Sequence, residues 1–255
     1  MTAGRTEAGT LPRPACPGEQ ADAPHGRGPH PLLRLLLAAA DGHFPPADGG
    51  VTLLGPLPRG LECSVAFTGH AVIATALPAG VIRRMNPDGH GASLAPDLLR
   101  ALAGPEGVID VVDVTLAAHG TGSTGTGSGS SPPAPGLPER TDLHDHPRVR
   151  YARELRCRVR TFGDERGLVT LSDGLAGRRE VSIELAEPDE GARGLGRTLL
   201  RDVLAQVPAG EPVFAAVSPG NARSLRSFLA AGFTPLGSEV IIRPGRRAGE
   251  EPAHT

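Results

Sequence analysis

The sequence contains no lysine: all 26 of its Lys/Arg positions are arginine. That removes chemistry built on a protein amine, such as a phosphate-loop lysine, a pyridoxal Schiff base or the strand lysine of a kinase. Cysteine is scarce, with Cys16, Cys63 and Cys157 far apart and in no Cys-x-x-Cys pair. Neither a disulfide framework nor a zinc site is indicated, and a reducing cytoplasm is the expected setting. Charge of one sign is missing as well. The balance of 26 basic and 28 acidic residues leaves −2, too little for bulk attraction to nucleic acid or an anionic membrane. The longest apolar run, residues 32–40, is broken by Arg34 and falls short of the roughly 20 residues that span a bilayer. The N-terminal residues carry Pro, Gly and charges in place of an apolar secretion signal.

What is present in quantity is glycine and proline, 35 and 26 of 255 residues. That approaches the level of low-complexity sequence, yet a hydrophobic content of 39% supports a buried core. Three segments do not read as packed structure: residues 1–28, the connector 119–138 and the tail 245–255. Within the connector, 16 of the 17 residues from 120 to 136 are Gly, Ser, Thr or Pro, the composition of a flexible linker. These segments set off an N-terminal block, 29–118, and a C-terminal block, 139–244. The first reads as a small α+β unit. It has an apolar helix from Pro31, a hairpin of strands at 62–67 and 71–77 around Thr68-Gly69-His70, a short helix carrying Leu98, Leu99 and Leu102, and a strand at 108–116. No catalytic cluster is visible in it.

The second block has sharper periodicity. Residues 155–160 alternate, placing Arg156, Arg158 and Arg160 on one strand face. Strands follow at 167–171 and 180–185, then Glu187-Pro188-Asp189-Glu190-Gly191-Ala192-Arg193-Gly194-Leu195-Gly196. A helix comes next with Leu199, Leu200, Val203, Leu204 and Val207 on one face. A strand at 213–217, a helix capped by Asn221 and ended at Gly232, and a strand at 240–242 complete the block. A strand running through a glycine loop into a helix is informative. Its successive backbone N–H groups and the helix dipole form an anion site suited to a pyrophosphate. Gly191-x-x-Gly194-x-Gly196 is not the spacing of a dinucleotide fold, and the Gly-Lys-Ser/Thr of a nucleotide P-loop is absent.

Together with Pro219-Gly220-Asn221-Ala222-Arg223-Ser224 and Ala231-Gly232-Phe233, this order of elements resembles the GCN5-related N-acetyltransferase family over residues 150–244. That family's loop reads Gln/Arg-x-x-Gly-x-Gly/Ala, and its later helix Asn-x-x-Ala/Ser followed by Tyr-x-x-x-Gly-Phe. The resemblance implies an α+β fold with a mixed, largely antiparallel sheet flanked by helices. It also implies acetyl-CoA as co-substrate, an amine acceptor and no metal. Glu184, Leu185 and Ala186 would end the strand whose backbone holds the pantetheine arm. Gly191, Ala192, Arg193, Gly194, Leu195 and Gly196 would form the pyrophosphate loop, with Arg197 opening the helix and Asn221 contacting the cofactor.

Two departures from the family pattern stand out. Gly191 takes the Gln/Arg position, leaving Arg193 as the nearby substitute. Phe228, also on the cofactor side, replaces the tyrosine that protonates the departing thiolate in many members, and phenylalanine has no proton to give. Water, Ser224 or Ser227 remain as acids. For a general base the candidates are Glu180 and Glu184, which share one strand face, with Glu180 at the place where some members hold a catalytic glutamate. An alternative to the enzyme is a module that holds acyl-CoA without turnover. The N-terminal block also permits a degenerate second copy of the same fold. His144-Asp145-His146 reads as the end of the connector in preference to a metal site.

Overall fold

Proline opens the first helix. Pro31 sits in the first turn of α1 (Pro31–Ala40), where a missing N–H leaves no bond unmade, and His30 caps it by accepting the Leu32 N–H at 3.2 Å. The computed structural model describes residues 28–122, 136–187 and 194–245. After α1 come β1 (Val51–Leu54), β2 (Glu62–Phe67), β3 (His70–Ala74), α2 (Ala79–Arg84), α3 (Pro96–Ala103), β4 (Val108–Ile109) and β5 (Asp113–His119). Beyond the connector lie α4 (Pro147–Leu155), β6 (Cys157–Asp164), β7 (Gly167–Asp173), β8 (Arg179–Leu185), α5 (Leu195–Leu204), β9 (Pro212–Val217), α6 (Ala222–Ala230) and β10 (Thr234–Arg243). The class is α+β, as expected.

All ten strands belong to one open, mixed sheet in the order β1-β3-β2-β10-β5-β9-β8-β7-β6, with β4 pairing β10 beside this path. Only β1–β3 and β8–β9 are parallel among the described pairs. The order interleaves the two sequence blocks. β10, the last strand of the C-terminal block, lies between β2 and β5 of the N-terminal block, and β5 in turn pairs β9. Residues 29–118 and 139–244 therefore share a sheet, and the connector joins halves of one body. Helices α5 and α6 cover one face through Leu199, Leu200, Val203 and Phe228. On the same face, α2 and α3 pack against Val240 and Ile242. The other face is covered by α1, against Phe214 and Ala117, and by α4 over β6 and β7.

Several local expectations change. The strand expected at 108–116 is two: the Asp110 N–H still donates to the Ile241 carbonyl at 3.0 Å, but the register against β10 shifts between Ile109 and Asp113. The arginine stripe of 155–160 does not form. Arg156 ends α4, Arg158 has φ +48°, and a bulge shifts the register between Cys157 and Arg160. The helix α4, capped by the His146 imidazole accepting the Arg148 N–H at 3.2 Å, occupies residues of the C-terminal block for which no helix is expected, and takes in Leu155, expected as strand. Cys157 is disulfide-bonded, while Cys63 is buried and free. At the β1 edge, His70 is held between Asp48 Oδ1 at 2.8 Å and Thr52 Oγ1 at 2.9 Å, tying the preceding turn to two strands.

Interleaving makes a prediction about fragments. Cleavage within residues 123–135 should leave two pieces that co-elute on gel filtration, because β10 cannot leave without stripping β2 and β5 of a neighbour. Residues 139–255 expressed alone should show no cooperative unfolding by circular dichroism. A stable, compact C-terminal fragment would contradict the shared sheet.

Candidate functional site

The site begins where two parallel strands part. β8 pairs β7 along its whole length, from Arg179 opposite Asp173 to Leu185 opposite Gly167. With β9 it is in register at one described position only, Glu180 opposite Phe214. Beyond that pair β8 continues with a free edge. The Ala186 N–H donates to the Arg166 carbonyl at 3.0 Å on the β7 side. Pleat alternation therefore turns the N–H and C=O groups of Ile183 and Leu185 toward the gap. Such an edge accepts an extended ligand as an added strand.

At the end of β8 the chain reaches α5 through a stretch whose Gly191, Ala192 and Arg193 lie outside the described residues. Gly194 has φ +85°, a left-handed geometry that disfavours any side chain. Gly196 is buried, and a Cβ there would lie 2.9 Å from Ser227 Oγ and 3.2 Å from Ser227 Cβ. Glycine at 196 thus lets the first turn of α5 approach α6. Leu195, the first helical residue, accepts the Thr198 hydroxyl at 2.9 Å. Gly194, Arg197, Arg226, Ser227 and Ala230 line an open depression of about 410 Å³. Neither Arg197 nor Arg226 has an acidic partner among the described residues. Two uncompensated guanidinium groups beside a helix N-terminus form a site for an anion. Arg226 had no motif to announce it. Its place follows from the α5–α6 crossing.

Two other expected cofactor residues have structural work in this arrangement. Asn221 caps α6, its Oδ1 accepting the Ser224 N–H at 3.1 Å. Phe228 is 3% exposed and packs edge-to-face on Phe233, ring centroids 4.9 Å apart. Phe228, expected as a cofactor contact, is therefore corrected to a core residue.

The opposite face of β8 revises the catalytic assignments. Glu180 is 2% exposed, accepts Arg156 Nε at 2.6 Å, and accepts Arg178 Nε and Nη2 at 3.2 and 3.1 Å. Burial alone would raise its pKa, but the Arg156 and Arg178 charges outweigh that and hold it well below the usual carboxylate range. A carboxylate so held is a poor base. Glu180 is a structural ion-pair member. Glu184 is more open but accepts Arg148 Nε at 3.0 Å, with His146 Nε2 4.0 Å away. The carboxylate of Asp113, which sequence reasoning passed over, has neither a hydrogen bond nor an ion pair among the described residues. Its pKa is raised to about 6 by burial first, then by the charges of Glu239 and Glu180. Only folding could reveal it, since its neighbours come from β8, β10 and α4.

A separate cavity of about 360 Å³ lies among Leu33, Leu57, Leu61, Leu155, Leu175 and Ile241 and shares no residue with the arginine-lined depression. Among the described residues no group of three His, Cys, Asp or Glu could hold a metal ion. Neither a known protein family nor a curated protein matches the chain.

Glu180→Gln should destabilise the protein by about 3–5 kcal/mol, because it leaves buried guanidinium charge uncompensated. Its folded pKa is depressed, so the stabilisation is full above the ordinary carboxylate pKa near 4. It is lost as pH falls toward the folded value. Urea denaturation at pH 7 and at pH 3 should show a large gap between wild type and variant at pH 7 that narrows at pH 3. Gly194→Ala should cost about 1–2 kcal/mol from its positive φ alone.

Proposed function

We propose that the protein transfers an acetyl group from acetyl-CoA to an amine, as a member of the GCN5-related N-acetyltransferases. The observation that carries this reading is the parting of β8 from β9 next to an arginine-lined helix N-terminus. A ligand with an extended amide-bearing arm and a pyrophosphate head needs both features, side by side. On this reading the first-turn N–H groups of α5 and the Arg197 and Arg226 guanidinium groups bind the phosphates. The backbone of Ile183 and Leu185 pairs with the pantetheine amides, and the thioester lies in the gap near the Glu180–Phe214 level. The amine nitrogen attacks the thioester carbonyl carbon, the C–N bond forms and the C–S bond breaks. CoA leaves as a thiolate that takes its proton from water. Holding the partners in line supplies much of the acceleration.

The burial of Phe228 favours a second reading, a module that holds acyl-CoA without turning it over, because no side-chain acid stands at that position. A thiol pKa near the roughly 8.5 of cysteine lets the thiolate depart unprotonated, so the enzyme reading does not require one. No described helix is long and apolar enough to cross a membrane.

Acetyl-CoA should raise the melting temperature of the full chain, since a ligand of the folded state stabilises it by mass action. Arg197→Glu and Arg226→Glu should each weaken binding by about 10-fold or more in calorimetric titration, the loss of one charge-assisted contact. An unchanged melting temperature at millimolar acetyl-CoA would remove the basis of the proposal.

A further inference from the structure

We propose that Asp113, a residue of the N-terminal half, takes the proton from the acceptor amine, and that the acceptor carries an apolar body lodged against Val108, Val111 and Tyr151. This rests on the acetyl-transfer reading above and assigns the half of the site that the glycine loop does not reach.

The sheet fixes the placement. β5 pairs β9 with Val114 opposite Val217, so Asp113 lies level with the C-terminal end of β9, toward which the gap from β8 opens. It is opposite Glu239 of β10 in register. By strand alternation Asp113 and Thr115 share the face of Glu239, Phe214 and Glu180, the face away from α5 and α6. An anion bound at α5 and an acceptor on this face would meet through the gap. The carboxylates here are otherwise engaged. Glu180 is held by Arg156 and Arg178, Glu184 by Arg148, and Glu239 by Arg178 and the Thr115 hydroxyl. Asp110 has Arg243 at 3.6 Å. Among the described residues, Asp113 alone of these carboxylates has no ion-pair partner to give up before accepting a proton; Asp110 keeps Arg243, though its buried Oδ2 has no hydrogen bond.

The groups that act on it come from every element around it. Glu239 of β10, Glu180 of β8 and Asp110 repel its ionised form, and Arg156 at the end of α4 attracts it. Tyr151 of α4 stands within electrostatic range of Asp113, Asp110, Arg156 and Arg243. With burial these leave its carboxyl titrating at about 6, so it is ionised at neutral pH and still basic enough to accept a proton.

The surroundings name the acceptor's chemistry. Six large hydrophobic side chains are exposed among the described residues. Three of them, Val108 (48%), Val111 (62%) and Tyr151 (43%), lie near Asp110 in sequence or within its electrostatic reach, whereas Ile109, opposite Ile242, belongs to the α2–α3 face. An apolar rim next to acidic groups complements an ammonium on a hydrophobic body better than a polycation or a sugar amine.

The test uses the full-length protein, acetyl-CoA and 2-phenylethylamine. Thiol release is followed from pH 5 to 8, with CoA binding and melting temperature measured in parallel. Asp113→Asn should bind CoA as the wild type does and lose about 10²–10⁴ in kcat/KM. Its rate should climb with pH across the whole range, following the free-amine fraction of an amine with a pKa of about 10, where the wild type levels off above about pH 6. Its melting temperature at pH 7 should rise. A raised carboxyl pKa means the ionised form is disfavoured in the fold, so Asp113 costs stability as pH climbs from about 4 past 6. Asp113→Ser should reproduce the kinetic loss if the amide introduces contacts of its own. An Asn variant with the wild-type rate and pH profile overturns the assignment while leaving acetyl transfer intact. CoA binding without turnover of this amine overturns the acceptor assignment and favours the holding module. Failure of the wild type to bind CoA overturns both.

Discussion

The whole sheet is organised around one buried guanidinium. Arg178, just before β8, has no exposed surface. It donates to Glu180 of β8 and to both oxygens of Glu239 of β10, at 2.7 and 2.6 Å. Its charge lies 5.0 Å from the centroid of the Phe214 ring in β9, and Glu239 also accepts the Thr115 hydroxyl of β5 at 2.6 Å. One side chain thus engages three strands directly and a fourth, β5, through Glu239, drawn from both halves of the chain. Taking such a cation out of water costs several kcal/mol unless its hydrogen bonds are met. The planar fork of arginine meets two carboxylates at once, where an ammonium would act as a point charge. Even the turn before β8 is adapted to it, since a Cβ at Gly174 would collide with the Glu180 carboxylate.

Pinning the strands at that level has a functional consequence. β8 and β9 are held together at Glu180 and Phe214 and diverge beyond them. The hydrophobic face of β8, with Val181, Ile183 and Leu185, stays packed under α5 and α6. The gap therefore has an apolar floor on one side and a charged face on the other, and the short α5–α6 approach at Gly196 keeps Arg197 and Arg226 beside it. On the charged face nearly every acid is neutralised by an arginine. The unpaired Asp113 is the exception, and its carboxyl is correspondingly perturbed.

Much of this was legible before folding, for reasons of local physics. The hairpin at 62–74, the helices carrying Leu98 and Leu199, the strand from Arg179 and the Asn221 cap depend on near neighbours in sequence. Periodicity and cap chemistry report those directly. Glycine at 194 is explained by a backbone angle, and at 196 by a neighbouring helix. The misreadings share one cause. Arg156 was read onto a strand face and Glu180 as a candidate base because alternation tells which residues share a face, but not which faces are covered. Here α4, a helix the sequence reading did not assign, brings Arg148 and Arg156 onto Glu184 and Glu180. Phe228 was read by its position in a motif, and its burial against Phe233 assigns it to the core.

The sequence by itself determined the class of fold, the elements around the glycine loop, and the candidate chemistry of that loop, because each is encoded within a few turns or a single strand pair. Only the tertiary structure decided that the two halves share one sheet and that β10 inserts between β2 and β5. It alone turned Glu180 from a candidate base into a buried counter-charge and placed Asp113 on the same face. Those outcomes depend on which strands become neighbours. That choice is made by long-range burial and by pairing of charges, such as Arg178 with Glu239, that lie 61 positions apart in the chain.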